Sequence, residues 1–470
     1  MVKVSLVGLV AALVLLVGEA PAAQFAREDV TIPMSDGVAI AATLYLPDGS
    51  PPAGGWPAIV FLHGLSEKRQ DMNALVEGYG FVGGPYAILT FDARGHGESG
   101  GLVGIDGPRE VADTRAVRDW LAARPDVSDT KIGAWGISYG GGAIFNSLVA
   151  GVPWAAVATV ETWTDLYSAL MPQGLVKSGL VAGLAGSIPP EKRDPALTTM
   201  QAAAFAGKTA AVRPWAVERS SFSKLASITT PVFMAQGRRD FLFGIDQGSL
   251  AFGKLQGPKV LYVGLHGHAP STFPAADTGF LMAKVRAWFD CYLRESGCDG
   301  RRASVYVAPE NFSGQVARRG SLPPVSPTFV SLPGVTTFAR SGKAVRTSPP
   351  LRTGIEVFGA PTVKVSIGAT GGWSRLVAVL TARTPKGQEI LVSAGGVPTT
   401  SGTQVVTIQL GSQATSIPKG SRLTLTLASS STAQSASNLL YLDLPMSARA
   451  KARVGTATLK LPGLRTPVTT

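Results

Sequence analysis

Runs of consecutive apolar residues recur through the first part of the chain, at Trp56–Leu62, Tyr86–Phe91, Lys131–Trp135, Ala155–Val160, Pro231–Ala235 and Lys259–Val263. Runs without polar alternation predict strands buried on both faces. The stretches between them have helical periodicity, as in Glu110–Ala123, where Val117, Trp120 and Leu121 share one face. Strand and helix in alternation predict parallel βαβ crossovers and an open, doubly wound α/β sheet. Ahead of these runs, Asp29–Pro33 and Val38–Leu46 predict two strands joined by the turn Ser35-Asp36-Gly37.

The pattern changes twice further on. Residues 164–227 are irregular and rich in Ala, Gly, Leu and Met, which predicts a helical insertion over the carboxyl edge of the sheet, where open α/β sheets bind ligands. From residue 301 to 470 the chain turns to Thr, Ser, Val, Gly and Pro with period-two alternation. Val363, Val365 and Ile367 share one strand face, as do Leu423, Leu425 and Leu427. Many short strands and no helical period predict an all-β sandwich. The expected organisation is a leader at 1–22, an α/β domain at 23–300 and the sandwich at 301–470.

Composition adds a compartment. Lys3 precedes the apolar stretch Val4–Val17, and Ala20-Pro21-Ala22 offers small residues for cleavage near Ala22 or Ala23, the layout of a secretory signal peptide. The apolar run is short for a membrane span, although a retained anchor is the alternative. Secretion, or delivery to a periplasm or cell envelope, makes a disulfide between Cys291 and Cys298 the natural reading of the two cysteines. They lack the further ligands a metal site needs. Residues 301–470 carry 19 Lys and Arg against four Asp and Glu, whereas the first 300 residues are net negative within a total of +12. A basic second half suits either solvated strand faces or contact with an anionic envelope surface. No signature of nucleic-acid binding accompanies it.

The chemistry centres on Gly136-Ile-Ser-Tyr-Gly140, placed between the strand Lys131–Trp135 and a helix. A G-x-S-x-G sequence on a strand-to-helix turn exposes its serine as a nucleophile, here Ser138. A serine hydroxyl needs a positioned base. The chain has four histidines, and His63 and His96 precede Ser138, against the order Ser, acid, His. His266 and His268 both follow the strand Lys259–Val263; the small neighbours of His268 favour it as base, leaving His266 to the pocket. Asp240 follows the strand Pro231–Ala235 and is the candidate orienting acid. An ion pair with Arg238 or Arg239 is its alternative role, and Asp246 is the reserve acid. The backbone N–H groups of Tyr139 and Leu65 are candidate oxyanion donors. Glu161, Trp163 and Asp165 follow another strand and could line a substrate pocket, the carboxylates for an ammonium group; helix capping is the alternative for Asp165. Asp92 with His96 could hold a metal, but their Gly-rich turn reads better as loop architecture. No metal or cofactor is expected.

These features together resemble the cocaine-esterase and X-prolyl dipeptidyl-peptidase family of serine hydrolases. The resemblance rests on Asp92-Ala-Arg-Gly-His-Gly-Glu-Ser99, Trp120-Leu121, Lys131-Ile-Gly-Ala-Trp-Gly-Ile-Ser-Tyr-Gly-Gly141, the helical insertion, and Trp288-Phe-Asp290 ahead of the sandwich. It implies an α/β-hydrolase domain with a helical cap, a C-terminal jelly-roll sandwich, and cleavage of small esters, amides or short peptides through an acyl-enzyme. Acyl transfer would use the same residues, and a non-catalytic envelope-binding scaffold is the reading from another class. Two features depart from the pattern. The loop His63-Gly-Leu-Ser-Glu-Lys-Arg69 lacks the tyrosine that several members place in the oxyanion hole, and no motif for a free amine and a proline ring can be aligned.

Overall fold

The computed structural model describes residues 25–269, 271–312 and 316–465; the leader expected at 1–22 lies outside the described residues. Ten strands form one sheet: β1 (Phe25–Pro33), β2 (Ala39–Pro47), β3 (Trp56–Leu62), β4 (Ala87–Phe91), β5 (Val127–Ile137), β6 (Val157–Val160), β7 (Val232–Gly237), β8 (Lys259–Gly264), β9 (Ala303–Val307) and β10 (Ala317–Arg319). Their spatial order is β1-β2-β4-β3-β5-β6-β7-β8-β9-β10. From β4 through β9 every neighbouring pair is parallel.

Helices cover both faces of this sheet, which is why its central strands read as unbroken apolar runs. Val60, Leu89, Ala134 and Val157 face one core with α1 (Pro108–Ala122) and α2 (Tyr139–Val149). Phe61, Ile88, Trp135 and Phe233 face the other, against Leu281, Val285 and Phe289 of the helix Ala275–Arg294. The chain runs outward from β3 to β4 and then returns to place β5 on the other side of β3. The crevice at the carboxyl ends of β3 and β5 is therefore the switch point at which such sheets bind ligands.

Between β6 and β7 the cap runs as short helices from Leu166 to Ser227. Beyond the large sheet, strands between Val325 and Leu464 build a seven-stranded and a four-stranded sheet, all antiparallel. Val363, Val365 and Ile367 meet Leu423, Leu425 and Leu427 in one shared core. The boundary expected at 301 is corrected by β9 and β10, which pair with the α/β sheet. Ala303–Val307 is buried almost throughout and continues the parallel ladder beside β8. The change in composition thus begins inside the last strands of the first domain and cannot mark its end.

Cys291 and Cys298 are joined by a disulfide that ties the end of the helix Ala275–Arg294 to the turn after it. Among the described residues no helix is long and apolar enough to cross a membrane.

Candidate active site

Ser138 occupies the turn between β5 and α2 with φ 51° and ψ −112°, a backbone conformation that costs energy for a residue with a side chain. Its neighbours leave no space for anything larger than glycine. A Cβ on Gly136 would lie 2.5 Å from the carbonyl oxygen of Gly140, and one on Gly140 would lie 2.3 Å from that of Leu62. The turn is pinned by the Ser138 N–H, which donates to Val160 O at 2.8 Å, and by the Thr162 hydroxyl, which donates to Ser138 O at 2.7 Å.

His268, on the loop after β8, stands with Nε2 2.8 Å from Ser138 Oγ and Nδ1 2.7 Å from Asp240 Oδ2. Asp240 follows β7 and is fully buried. Its Oδ1 accepts from the N–H groups of Leu242 and Phe243 at 2.8 and 3.0 Å, and its Oδ2 also receives the His268 N–H at 3.3 Å. Burial opposes the charge of Asp240, but His268 and these donors outweigh it and hold the carboxyl below its ordinary value. Ser138, His268 and Asp240, drawn from three strand ends, thus form one continuous hydrogen-bonded chain.

The arginines beside Asp240 face elsewhere. Arg238 is buried and reaches Glu356 of the sandwich at 2.7 Å, while Arg239 donates to Leu391 O at 2.9 Å. The expected alternative of a local ion pair is thereby corrected. Gln413 of the sandwich donates to the backbone carbonyl of Asp240 at 2.9 Å. The second domain therefore buttresses the acid loop, a relation between residues 173 positions apart that no local pattern could reveal. Asp246 takes no part in the chain; it is buried near Lys177, and burial raises its pKa.

His266 proves to be a separate pair. It is fully buried, with Nδ1 2.9 Å from Asp277 Oδ2 and Nε2 without a partner among the described residues. Asp277 also takes the N–H groups of Leu265 and His266 and the hydroxyl of Tyr262. Its place in the first turn of a helix, 11 residues after His266, gave no local signal.

An apolar cavity opens onto Ser138 and Tyr139, and Leu65 and Trp163 line it as well. The loop carrying Leu65 is held against the elbow by the Gly140 N–H, which donates to His63 O at 3.0 Å. Glu67, which no local sequence pattern marks, closes that loop by accepting the Gly64 N–H at 2.8 Å, and burial lifts its pKa to about 7.

Glu161, Asp165 and His266 do not line the cavity. Asp165 caps the helix Leu166–Leu170 by accepting the Ser168 N–H. Glu161 lies fully buried behind the chain, with one oxygen 3.8 Å from His268 Nδ1 and neither oxygen hydrogen-bonded. Burial, and then the charge of Asp240, push its pKa well above the usual range. Glu161, Asp240 and His268 bring ligand atoms within 4.8 Å of one another. A tetrahedral ion with bonds of about 2.1 Å would hold its ligands roughly 3.4 Å apart, so the 2.7 Å contact between His268 and Asp240 is a hydrogen bond with no space for a metal.

The Asp92–Ser99 segment is architecture. Asp92 is paired with the buried Arg69, Arg94 bridges Asp113 and Asp36, and Ser99 Oγ donates to Asp92 O. Burial lowers His63 to a pKa of about 4 and His96 to about 3, so both are neutral packing groups.

The profile of the X-Pro dipeptidyl-peptidase (S15) family matches residues 36–270. The chain belongs to this family. In fold it is similar to a CocE/NonD family hydrolase from Staphylococcus aureus, with TM-score 0.73, 15% identity and 94% of each chain covered. An alpha-amino acid ester hydrolase is similar over 95% of this chain and 98% of its own, at TM-score 0.69 and 16% identity. Among curated proteins, the quorum-quenching protein AidA of Acinetobacter baumannii is 31% identical over 137 residues, 27% of this chain and 43% of AidA. The chain thus spans less than half the length of the curated relatives it matches.

Proposed function

We propose that this S15 protein is an exported hydrolase that cleaves a carboxylic ester or amide through an acyl-enzyme on Ser138. The observation that carries the reading is the unbroken chain from Asp240 through His268 to Ser138 Oγ. In the first step Ser138 Oγ bonds to the carbonyl carbon while its proton passes to His268 Nε2. The backbone N–H groups of Tyr139 and Leu65 stabilise the oxygen as it becomes negative. The tetrahedral intermediate collapses, the bond to the alcohol or amine breaks, and the leaving group takes the proton from His268. Water then adds to the acyl carbon, gives its proton to His268, and Ser138 departs with that proton restored. Asp240 keeps the Nδ1–H tautomer facing it and balances the imidazolium.

Export rests on the signal-like residues 1–22 and agrees with a disulfide in the mature chain. Contact with an anionic envelope surface is supported by the outward face of the seven-stranded sheet. Lys364, Lys451, Arg453 and Lys460 are exposed there on the paired strands Thr362–Thr370 and Lys451–Leu464, none of them in an ion pair with a described residue. Fluorophosphonate labelling tests the catalytic part. The reading expects one label per wild-type chain and none on Ser138→Ala; equal labelling of both would contradict it.

A further inference from the structure

We infer that the substrate carries a large, uncharged, apolar group next to the scissile bond, and that the cavity rejects a free amine. This deepens the proposed function and rests on Ser138 as nucleophile.

The cavity above Ser138 extends from Leu65 and Tyr139 at the elbow into the cap, as far as Leu197, Val212 and Trp215. Leu170, Met171, Leu184 and Met200 of the cap supply its far wall. Among the described residues no Asp, Glu, Lys, Arg or His lines it. Away from the reacting centre its polar side chains are uncharged: the Gln201 amide and the indole N–H groups of Trp163 and Trp215. That of Trp163 is already committed to Arg219 O at 2.9 Å.

Recognition of an N-terminal amine requires a carboxylate where the ammonium is buried, because an unpaired buried charge is strongly unfavourable. The two acids that follow β6 are placed otherwise. Asp165 is spent on a helix cap, and Glu161 lies on the far side of His268 beside Asp240. An apolar chain, by contrast, gains from each methylene it removes from water. The cavity therefore selects against an X-Pro dipeptide with a free amine and for an apolar acyl or alkyl group.

The test uses the full mature chain and p-nitrophenyl esters of acetate, butyrate, octanoate and 8-aminooctanoate, with ethyl and octyl acetate for the alcohol side and Ala-Pro p-nitroanilide as the peptide. We expect kcat/KM to rise at least about tenfold from the short to the long member in the acyl or the alcohol series. The 8-aminooctanoate should fall at least about a hundredfold below octanoate, and the anilide should be a poor substrate. Gln201→Glu, at a half-buried position, should narrow the gap between octanoate and 8-aminooctanoate at least about tenfold. Flat response in both series, equal use of the amino ester, or dominant Ala-Pro cleavage overturns the inference. Turnover that survives Ser138→Ala overturns instead the reading beneath it, so the two failures are distinguishable.

Discussion

Two buried His–Asp pairs lie side by side in this protein, and only one of them can act as a base. His268 with Asp240 and His266 with Asp277 are built on histidines two residues apart, each with Nδ1 hydrogen-bonded to a buried carboxylate. The far nitrogen makes the difference. His268 Nε2 is 2.8 Å from Ser138 Oγ, which lines the apolar cavity, whereas His266 Nε2 is enclosed and meets no partner among the described residues. A carboxylate that orients an imidazole is thus as much a structural device as a catalytic one. What converts the pair into chemistry is a reachable nucleophile.

Removing each histidine in turn separates the two pairs. His268→Ala should lower kcat/KM by about 10⁴–10⁶-fold, as removal of a base acting as a unit with its serine does, while His266→Gln should stay within about fivefold of wild type. Comparable losses in the two variants would erase the distinction. The acids should separate in the same way. Asp240→Asn should cost about 10⁴ in kcat with the fold intact. Asp277→Ala should instead cost about 3 kcal/mol of stability, read by denaturant unfolding, because it strands His266, Tyr262 and two backbone N–H groups.

A smaller effect sharpens the role of the sandwich. Arg238 and Glu356 bridge the domains beneath Asp240. Glu356→Gln should reduce kcat by about tenfold with KM little changed, since a slight misplacement of a catalytic group is felt in the chemical step. An unchanged kcat would mean that the buttress does not reach the site.

The smallest effect concerns Glu161, whose folded pKa is raised by burial and by Asp240. In the unfolded chain this carboxyl ionises near its ordinary value, while the folded state holds the proton to higher pH. Stability is therefore lost as pH rises from the unfolded value toward the folded one. Glu161→Gln removes that loss, so its Tm should exceed that of wild type by a few degrees at pH 7.5 and match it at pH 4. An equal difference at both pH values would show that Glu161 is not held protonated.

Much of this organisation was legible in the residues themselves. Unbroken apolar runs mark strands sandwiched between helices, and the Gly-rich elbow marks Ser138 because the Cβ of any other residue at Gly136 or Gly140 would strike backbone. Chain order excluded His63 and His96. Beyond that, the signal thinned for physical reasons. The preference for His268 over His266 depends on which nitrogen reaches Ser138 Oγ, and both histidines have a strand before them and an acid within reach. Glu161 and Asp165 do not line the cavity, because a residue after a strand can turn toward the pocket, the cap or the interior, and spacing is the same in each case. Glu67, Asp277, Gln413 and Glu356 act across loops or between domains, so their roles arise only from packing. The domain boundary was displaced because β9 belongs to the first sheet while sharing the composition of the second domain.

Acid-quenched mass spectrometry during turnover of p-nitrophenyl octanoate reads the acyl-enzyme itself. One octanoyl group per chain is expected on the peptide containing Ser138, formed with a burst of p-nitrophenol, with neither adduct nor burst in Ser138→Ala. An adduct on another residue, or undiminished turnover by Ser138→Ala, would contradict catalysis through Ser138.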